Sequence, residues 1–153
     1  MTVKISWLCK HFNDLTVSEL YGIVSLRENV FVVEQNCVYL DADGKDKASY
    51  LVFGTNELGE VVATSRILPK GISYEKYASI GRVCVAQSVR RFSVGQELMK
   101  ETLQFTEQLL GKQSIKISAQ TYLLQFYQKF DFEPIGEGYL EDDIPHIAMI
   151  RKG

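Results

Sequence analysis

Between Ser79 and Ala119 the chain runs from an apolar segment of strand length, Ser79–Val85, through a basic loop into a long helix, Val94–Leu110. It then leaves into a second apolar segment, Ile115–Ala119. No other stretch limits the fold so tightly. Helical spacing puts Val94, Leu98, Met99, Thr102, Leu103, Thr106, Leu109 and Leu110 on one side, and Gly111 ends the run. An apolar stripe of that length is stable only when buried against another layer, and the flanking segments supply a sheet.

The remaining elements extend the pattern. Val3–Trp7 reads as a first strand. Thr16-Val17-Ser18-Glu19 is a capping box, with Leu15 and Leu20 placed for a hydrophobic staple. The helix that follows carries Leu20, Ile23, Val24, Val30 and Phe31, and Gly22 inside it predicts a close packing contact. Residues 34–47 are polar and acidic and read as a loop. Tyr50–Phe53 and Val61–Leu68 flank a turn and predict a hairpin, and Tyr122–Phe130 predicts a short aromatic helix. Glu133–Tyr139 and His146–Arg151 close the chain as strands, with Pro69, Pro134 and Pro145 near the ends of apolar runs. The expected fold is α/β (α+β), a mixed sheet with helices on its faces.

The chain has 153 residues, which suits a single domain spanning 1–153 that needs no metal or disulfide to fold. Seventeen Lys+Arg against nineteen Asp+Glu leave a net charge of −2, which argues against a nucleic-acid partner. Cys9, Cys37 and Cys84 are odd in number and far apart, so a disulfide framework or zinc ribbon is not expected. Reduced thiols point to a cytoplasmic protein. No apolar run has the length of a signal peptide or membrane span, so no membrane partner is expected. Asp41-Ala42-Asp43-Gly44-Lys45-Asp46 has some likeness to a calcium loop, but its glycine comes too early and no glutamate closes it. It reads as an acidic loop on the acceptor side, or as a solvated one, and no metal is expected.

The chemistry concentrates at Val83-Cys84-Val85-Ala86-Gln87-Ser88-Val89-Arg90-Arg91-Phe92-Ser93-Val94-Gly95. Here a strand feeds a loop with two arginines that opens directly onto a helix. The first amides of a helix lack internal partners and the dipole there is positive, so such an end accepts phosphate. Arg90 and Arg91 add charge-assisted donors. An ordinary strand-to-helix turn with solvated arginines has the same local pattern.

Arg90-Arg91-Phe92-Ser93-Val94-Gly95 resembles the loop R/Q-x-x-G-x-G/A of the GNAT N-acetyltransferase superfamily, with Ser93 in place of the middle glycine. Gln120–Phe132 is similar to that family's N-x-x-A-x-x-x-Y-x-x-x-G-F motif, departing at Gln120, Leu123 and Asp131. Within the superfamily, Leu26–Cys37 and Asp142–Ile147 resemble the ElaA family. The resemblance covers nearly the whole chain. It implies a mostly antiparallel sheet of about seven strands, splayed between the fourth and fifth. It also implies transfer of an acetyl group from acetyl-coenzyme A, as cosubstrate, to a primary amine by direct attack on the thioester.

Carried over, the resemblance has Val83, Cys84 and Val85 pair with the pantetheine arm, while Arg90, Arg91, Phe92, Ser93, Val94, Gly95 and Gln96 cradle the phosphates. Gln120 takes the place of an asparagine that touches the arm. An amide near Val83 or Cys84 steadies the thioester oxyanion. Cys84 itself reads as an inert strand cysteine rather than a nucleophile. Tyr127 falls on the tyrosine that protonates the departing thiolate, or else is an aromatic core residue. The fourth strand has no carboxylate, which leaves Glu34 and His146 as candidate bases. Glu34 also reads as an ion-pair partner of Arg27, and His146 as a strand-end histidine satisfied by backbone.

Two other readings stay open. One is an acyl-coenzyme A-binding module without turnover. The other is an acyl-homoserine-lactone synthase, which Arg27, Val30-Phe31 and the Asp41/Asp43/Asp46 cluster also resemble. The acceptor is a small molecule or peptide amine, and both monomer and homodimer are left open.

Overall fold

The computed structural model describes residues 3–153. Its elements run β1 (Ser6–His11), α1 (Val17–Arg27), β2 (Tyr50–Thr55), β3 (Val61–Leu68), β4 (Ser79–Val85), α2 (Val94–Leu110), β5 (Ile115–Gln120), α3 (Leu124–Gln128), β6 (Glu133–Glu141) and β7 (Ile144–Arg151). One antiparallel sheet has the order β1-β2-β3-β4 and a second has the order β5-β7-β6. Leu51 and Phe53 of β2 pack with Ile23 of α1, whereas Val52 packs with Val94 and Leu98 of α2. Successive strand residues face opposite ways, so α1 and α2 cover opposite faces. On the second sheet, Tyr127 of α3 and Met99 of α2 share a core with Ile115, Ile117 and Ala119 of β5 and Met149 of β7.

The two sheets meet at a single parallel bridge between Ala78 and Ile115, where the Lys116 amide donates to the Ala78 carbonyl at 2.9 Å. Past that point β4 and β5 separate, as the family resemblance implies. On its other edge β4 carries a bulge. Thr64 faces Cys84 and Arg66 faces Gly81, so Arg82 and Val83 together oppose Ser65. Arg82 takes the left-handed conformation that the extra residue requires, with φ 49°.

Local signals in the sequence are realised. Glu19 N donates to Thr16 Oγ1 at 3.1 Å, and Thr16 N donates to Glu19 Oε1 at 2.8 Å, closing the capping box. A Cβ on Gly22 would sit 2.7 Å from Val61 Cγ2, which is the close approach expected there. Other boundaries differ. The first strand begins at Ser6 and reaches His11, because pairing with all of β2 carries it through Lys10, whose ammonium is held by Glu19 at 3.0 Å. α1 does not continue as an α-helix to Phe31 but widens into a π-helical turn over Glu28–Glu34. The aromatic helix is shorter than expected, because Asp131 at φ 69° turns the chain so that Phe132 is fully buried. Strands β6 and β7 run longer and meet in a two-residue turn, Asp142-Asp143, both with positive φ. Pro145 therefore lies inside β7, tolerated because β5 ends at Gln120, opposite His146.

Candidate active site

α2 starts without a cap. Ser93 precedes it in the left-handed region at φ 58°, and no side chain caps the end. The first helical bond runs from Glu97 N to Ser93 O at 3.2 Å, so the amides of Val94, Gly95 and Gln96 come before the ladder begins. Glu97, the acid nearest these amides, is turned to the Trp7 indole, which donates to it at 2.9 Å. A Cβ on Gly95 would find its nearest neighbours, Phe126 and Val85, at 3.9 Å. The protein itself therefore does not require glycine there. An approaching anion would. Val89 is buried and anchors the loop, and Phe92 packs on the core, while Arg91 and Gln96 are exposed.

Arg90 differs from the solvated phosphate ligand expected of it. Its Nε donates to the Val85 carbonyl at 3.1 Å and its guanidinium reaches Glu34 Oε2 at 2.6 Å. Glu34 is thus the partner of Arg90 and not of Arg27. Arg27, only 2% exposed, is bound instead by Asp41 and Asp46, each at 2.8 Å.

Those aspartates belong to a larger structure. Arg27 pairs with Asp41, Asp41 with Arg82, Arg82 with Asp43, Asp43 with Arg66, Arg66 with Asp46, and Asp46 with Arg27, at 2.8–3.4 Å. Three arginines and three aspartates alternate in a closed, electrically neutral ring. The Arg82–Asp41 contact is 2.9 Å long but the Nε–H is not directed along it. Burial by itself raises the Asp43 carboxyl. Hydrogen bonds from Arg66 and from the Lys45 amide outweigh that and hold it far below the usual carboxylate range. Asp46 is likewise raised by burial but lowered overall by the Arg27 guanidinium. The aspartates of the acidic loop are therefore engaged by arginines rather than free for an acceptor. It neutralises arginines that β3, β4 and α1 carry inward. Two signals in the sequence foretold this, an arginine within the apolar strand Val61–Leu68 and another in Ser79–Val85, since a buried guanidinium must be paired.

The ring borders a cleft of about 500 Å³ that opens where β4 and β5 diverge. Gly81, Arg82 and Val83 of the bulge line it, together with Gln120, Tyr127 and His146. Of the expected site residues the cleft therefore collects Val83, Gln120, Tyr127 and His146, and Glu34 is not among its walls. Tyr127 is 7% exposed, packed edge-on against Phe126 and Phe132, and its hydroxyl makes no hydrogen bond among the described residues. Burial pushes its pKa well above the ordinary tyrosine value, so it remains a proton donor. Cys84 is 5% exposed and packs with Leu26 and Val30. Burial pushes its thiol up to about 12, which leaves an inert hydrophobe.

His146 Nδ1 lies 2.6 Å from the Ile144 carbonyl. A carbonyl only accepts, so the proton is on Nδ1 and the lone pair on Nε2. Nε2 is 3.5 Å from Glu141 Oε2. Tyr139 stacks on the ring, and its hydroxyl is hydrogen-bonded to Ser118. Tyr139, Glu141 and Ser118 escaped the sequence reading, because only the pairing of β6 with β7 places Tyr139 opposite His146.

Among the described residues no group of side chains is arranged to hold a metal, and no helix is long and apolar enough to cross a membrane. The model of the acetyltransferase (GNAT) domain matches residues 45–152. The chain is similar to protein ElaA of Escherichia coli, 42% identical over 151 residues that cover 97% of each chain. It superposes on the crystal structure of that ElaA with TM-score 0.90 and 40% identity, covering 97% of this chain and 100% of the other. An acyl-CoA N-acyltransferase from Pseudomonas aeruginosa is similar with TM-score 0.91 and 39% identity, covering 97% and 99%. The open helix end, the parted strands and the cleft between them are thus those of a fold that binds acyl-coenzyme A and transfers acyl groups, and the chain belongs to the GNAT superfamily and, within it, to the ElaA family.

Proposed function

We propose that the protein transfers an acetyl group from acetyl-coenzyme A to a primary amine by direct attack of the amine on the thioester. One observation carries this reading. The unsatisfied amides of Val94, Gly95 and Gln96, with clearance over Gly95, stand at the end of β4, whose β5-facing edge is free of strand pairing past Ala78. The amides and Arg91 suit the phosphates, and Val83, Cys84 and Val85 offer backbone groups to the pantetheine arm. Arg90 joins the phosphate site by giving up Glu34.

The residues of the cleft divide the remaining work. A backbone amide of the bulge at Val83 supports the developing oxyanion. His146 Nε2 takes the amine's proton. At pH 7 deprotonating an alkylammonium costs about 4 kcal/mol without help, which a base held against the reacting nitrogen lowers. Tyr127 supplies a proton to the departing thiolate, and Gln120 steadies the arm. Cys84 forms no acyl-enzyme. The unpaired Cys9, Cys37 and Cys84 support a cytoplasmic setting.

Release of free thiol from acetyl-coenzyme A, followed over a panel of amines, tests the reading. Turnover with at least one amine is expected. In Tyr127→Phe, kcat should fall roughly tens- to a hundredfold, the low end for general acids because a thiol needs little assistance, with coenzyme A affinity unchanged. His146→Gln should lose rate at neutral pH and recover part of it in alkali, where the amine is already free. Glu34→Gln should change coenzyme A binding through Arg90 without that recovery. Coenzyme A binding without turnover of any amine would favour a binding module, which the lack of a carboxylate in β4 already recommends. The residues that resemble a homoserine-lactone synthase, Arg27 and Asp41/Asp43/Asp46, are all engaged in the ring and carry no argument for that chemistry.

A further inference from the structure

Charged side chains of both signs line the cleft. Glu141 and Asp142 are among them, beside His146. Lys45 lines it too. It sits just after the turn at Gly44, is half-buried, and forms no ion pair among the described residues; its ammonium donates to the Ser73 hydroxyl at 3.1 Å. Arg66 and Arg82, which also line the cleft, are neutralised in the ring, so Lys45 is left as its uncompensated ammonium. Ser73, whose hydroxyl oxygen accepts from Lys45, also lines the cleft and keeps its own O–H to donate to an oxygen ligand. Ser73 and Tyr74 line the same cleft as Glu141 and His146.

We infer that the acceptor carries a carboxylate as well as its reacting amine: it is a small molecule of the amino-acid class, with the carboxylate held by Lys45 and Ser73 and the amine directed to His146. This rests on the amine-transfer reading above and narrows it. A diamine or polyamine would put its second ammonium against Lys45, a like-charge contact that the zwitterion replaces with an opposite-charge one.

Acceptors matched in all but the carboxylate decide the matter: L-phenylalanine with phenethylamine, L-lysine with cadaverine, and 6-aminohexanoate with pentylamine. The last pair varies the separation of amine and carboxylate. Wild type should favour the carboxylate-bearing member of at least one pair by tenfold or more in kcat/KM, the scale of one hydrogen bond to a charged group. Lys45→Met should abolish that preference, and Lys45→Glu should reverse it toward cadaverine, with coenzyme A affinity unchanged in both. A lysine with only a structural role would lower all acceptors alike. Equal or better use of every decarboxylated partner by wild type overturns the inference while leaving amine transfer intact. If coenzyme A binds but no amine turns over, the transfer reading fails. Calorimetric titration of the same pairs into coenzyme A-saturated protein then judges the site alone. Tighter binding of a carboxylate-bearing member, lost in Lys45→Met, upholds it; equal or absent binding overturns it.

Discussion

The two long helices begin in opposite ways. At α1 every device that closes a helix end is present. Thr16 and Glu19 bind each other's amides, and Glu19 also holds Lys10. At α2 there is no cap, the preceding residue is in the left-handed region, and the nearest acid is turned to Trp7. Each helix also carries a glycine in its first two turns, and these too differ. Gly22 is needed because Val61 occupies the space, whereas around Gly95 the protein leaves room. One terminus is completed by the chain and the other is left open. An unsatisfied helix start costs stability, and a chain that caps α1 so fully could have capped α2.

Substitutions can break this contrast. The largest effect should come from the C-terminal end of α1, which delivers Arg27 to the ion-pair ring. Asp46→Asn would leave both Arg27 and Arg66 short of a partner and should cost about 3–5 kcal/mol in urea unfolding, with coenzyme A affinity unchanged. The same ring sets an acid limit. Asp43 and Asp46 have folded pKa values below their ordinary value of 3.8, so their contribution is full above it and drains away as pH falls through the folded values. Melting temperature followed downward from pH 5 should drop, and in Asp46→Asn the drop should be smaller.

Next in size is Gly95→Val, which should weaken coenzyme A roughly a hundredfold, about the loss of one or two hydrogen bonds to charged oxygens, while leaving the ligand-free melting temperature nearly unchanged. Gly22→Ala should do the reverse. The methyl group meets Val61 at 2.7 Å, and overpacking of about 1–3 kcal/mol exceeds the roughly 1 kcal/mol gained in helix propensity. Coenzyme A affinity should hold. If Gly95→Val unfolded the protein and Gly22→Ala did not, the roles assigned to the two glycines would be exchanged. The smallest effect belongs to Thr16→Ala, which removes a cap and should cost about 1 kcal/mol in unfolding free energy.

Much of this was legible along the chain because it depends on neighbours in sequence. A capping box spans four residues, an amphipathic stripe repeats every turn, and the basic loop opens onto its helix within a few residues. From these the elements, the fold class and the basic loop at the open end of α2 could be read, and the motif Gln120–Phe132 marked Tyr127, which lines the cleft. Ends of elements were less legible, since pairing with β2 carried β1 to His11 and core burial of Phe132 shortened α3.

That buried arginines need partners was legible; which acids they take was not. Arg27 has an acid seven residues away at Glu34, yet it binds Asp41 and Asp46, while Glu34 binds Arg90, 56 residues distant. Local spacing says that a buried guanidinium needs a carboxylate; it does not say which one. That choice belongs to where the 34–47 loop is laid across the bulge of β4, and to the register that sets Tyr139 beside His146. Helix and strand periods are imposed by backbone geometry within a few residues, so composition and order suffice for them. Ion pairs and cleft walls join groups whose separation in the chain is unrelated to their separation in space, and only the packed sheets bring them together.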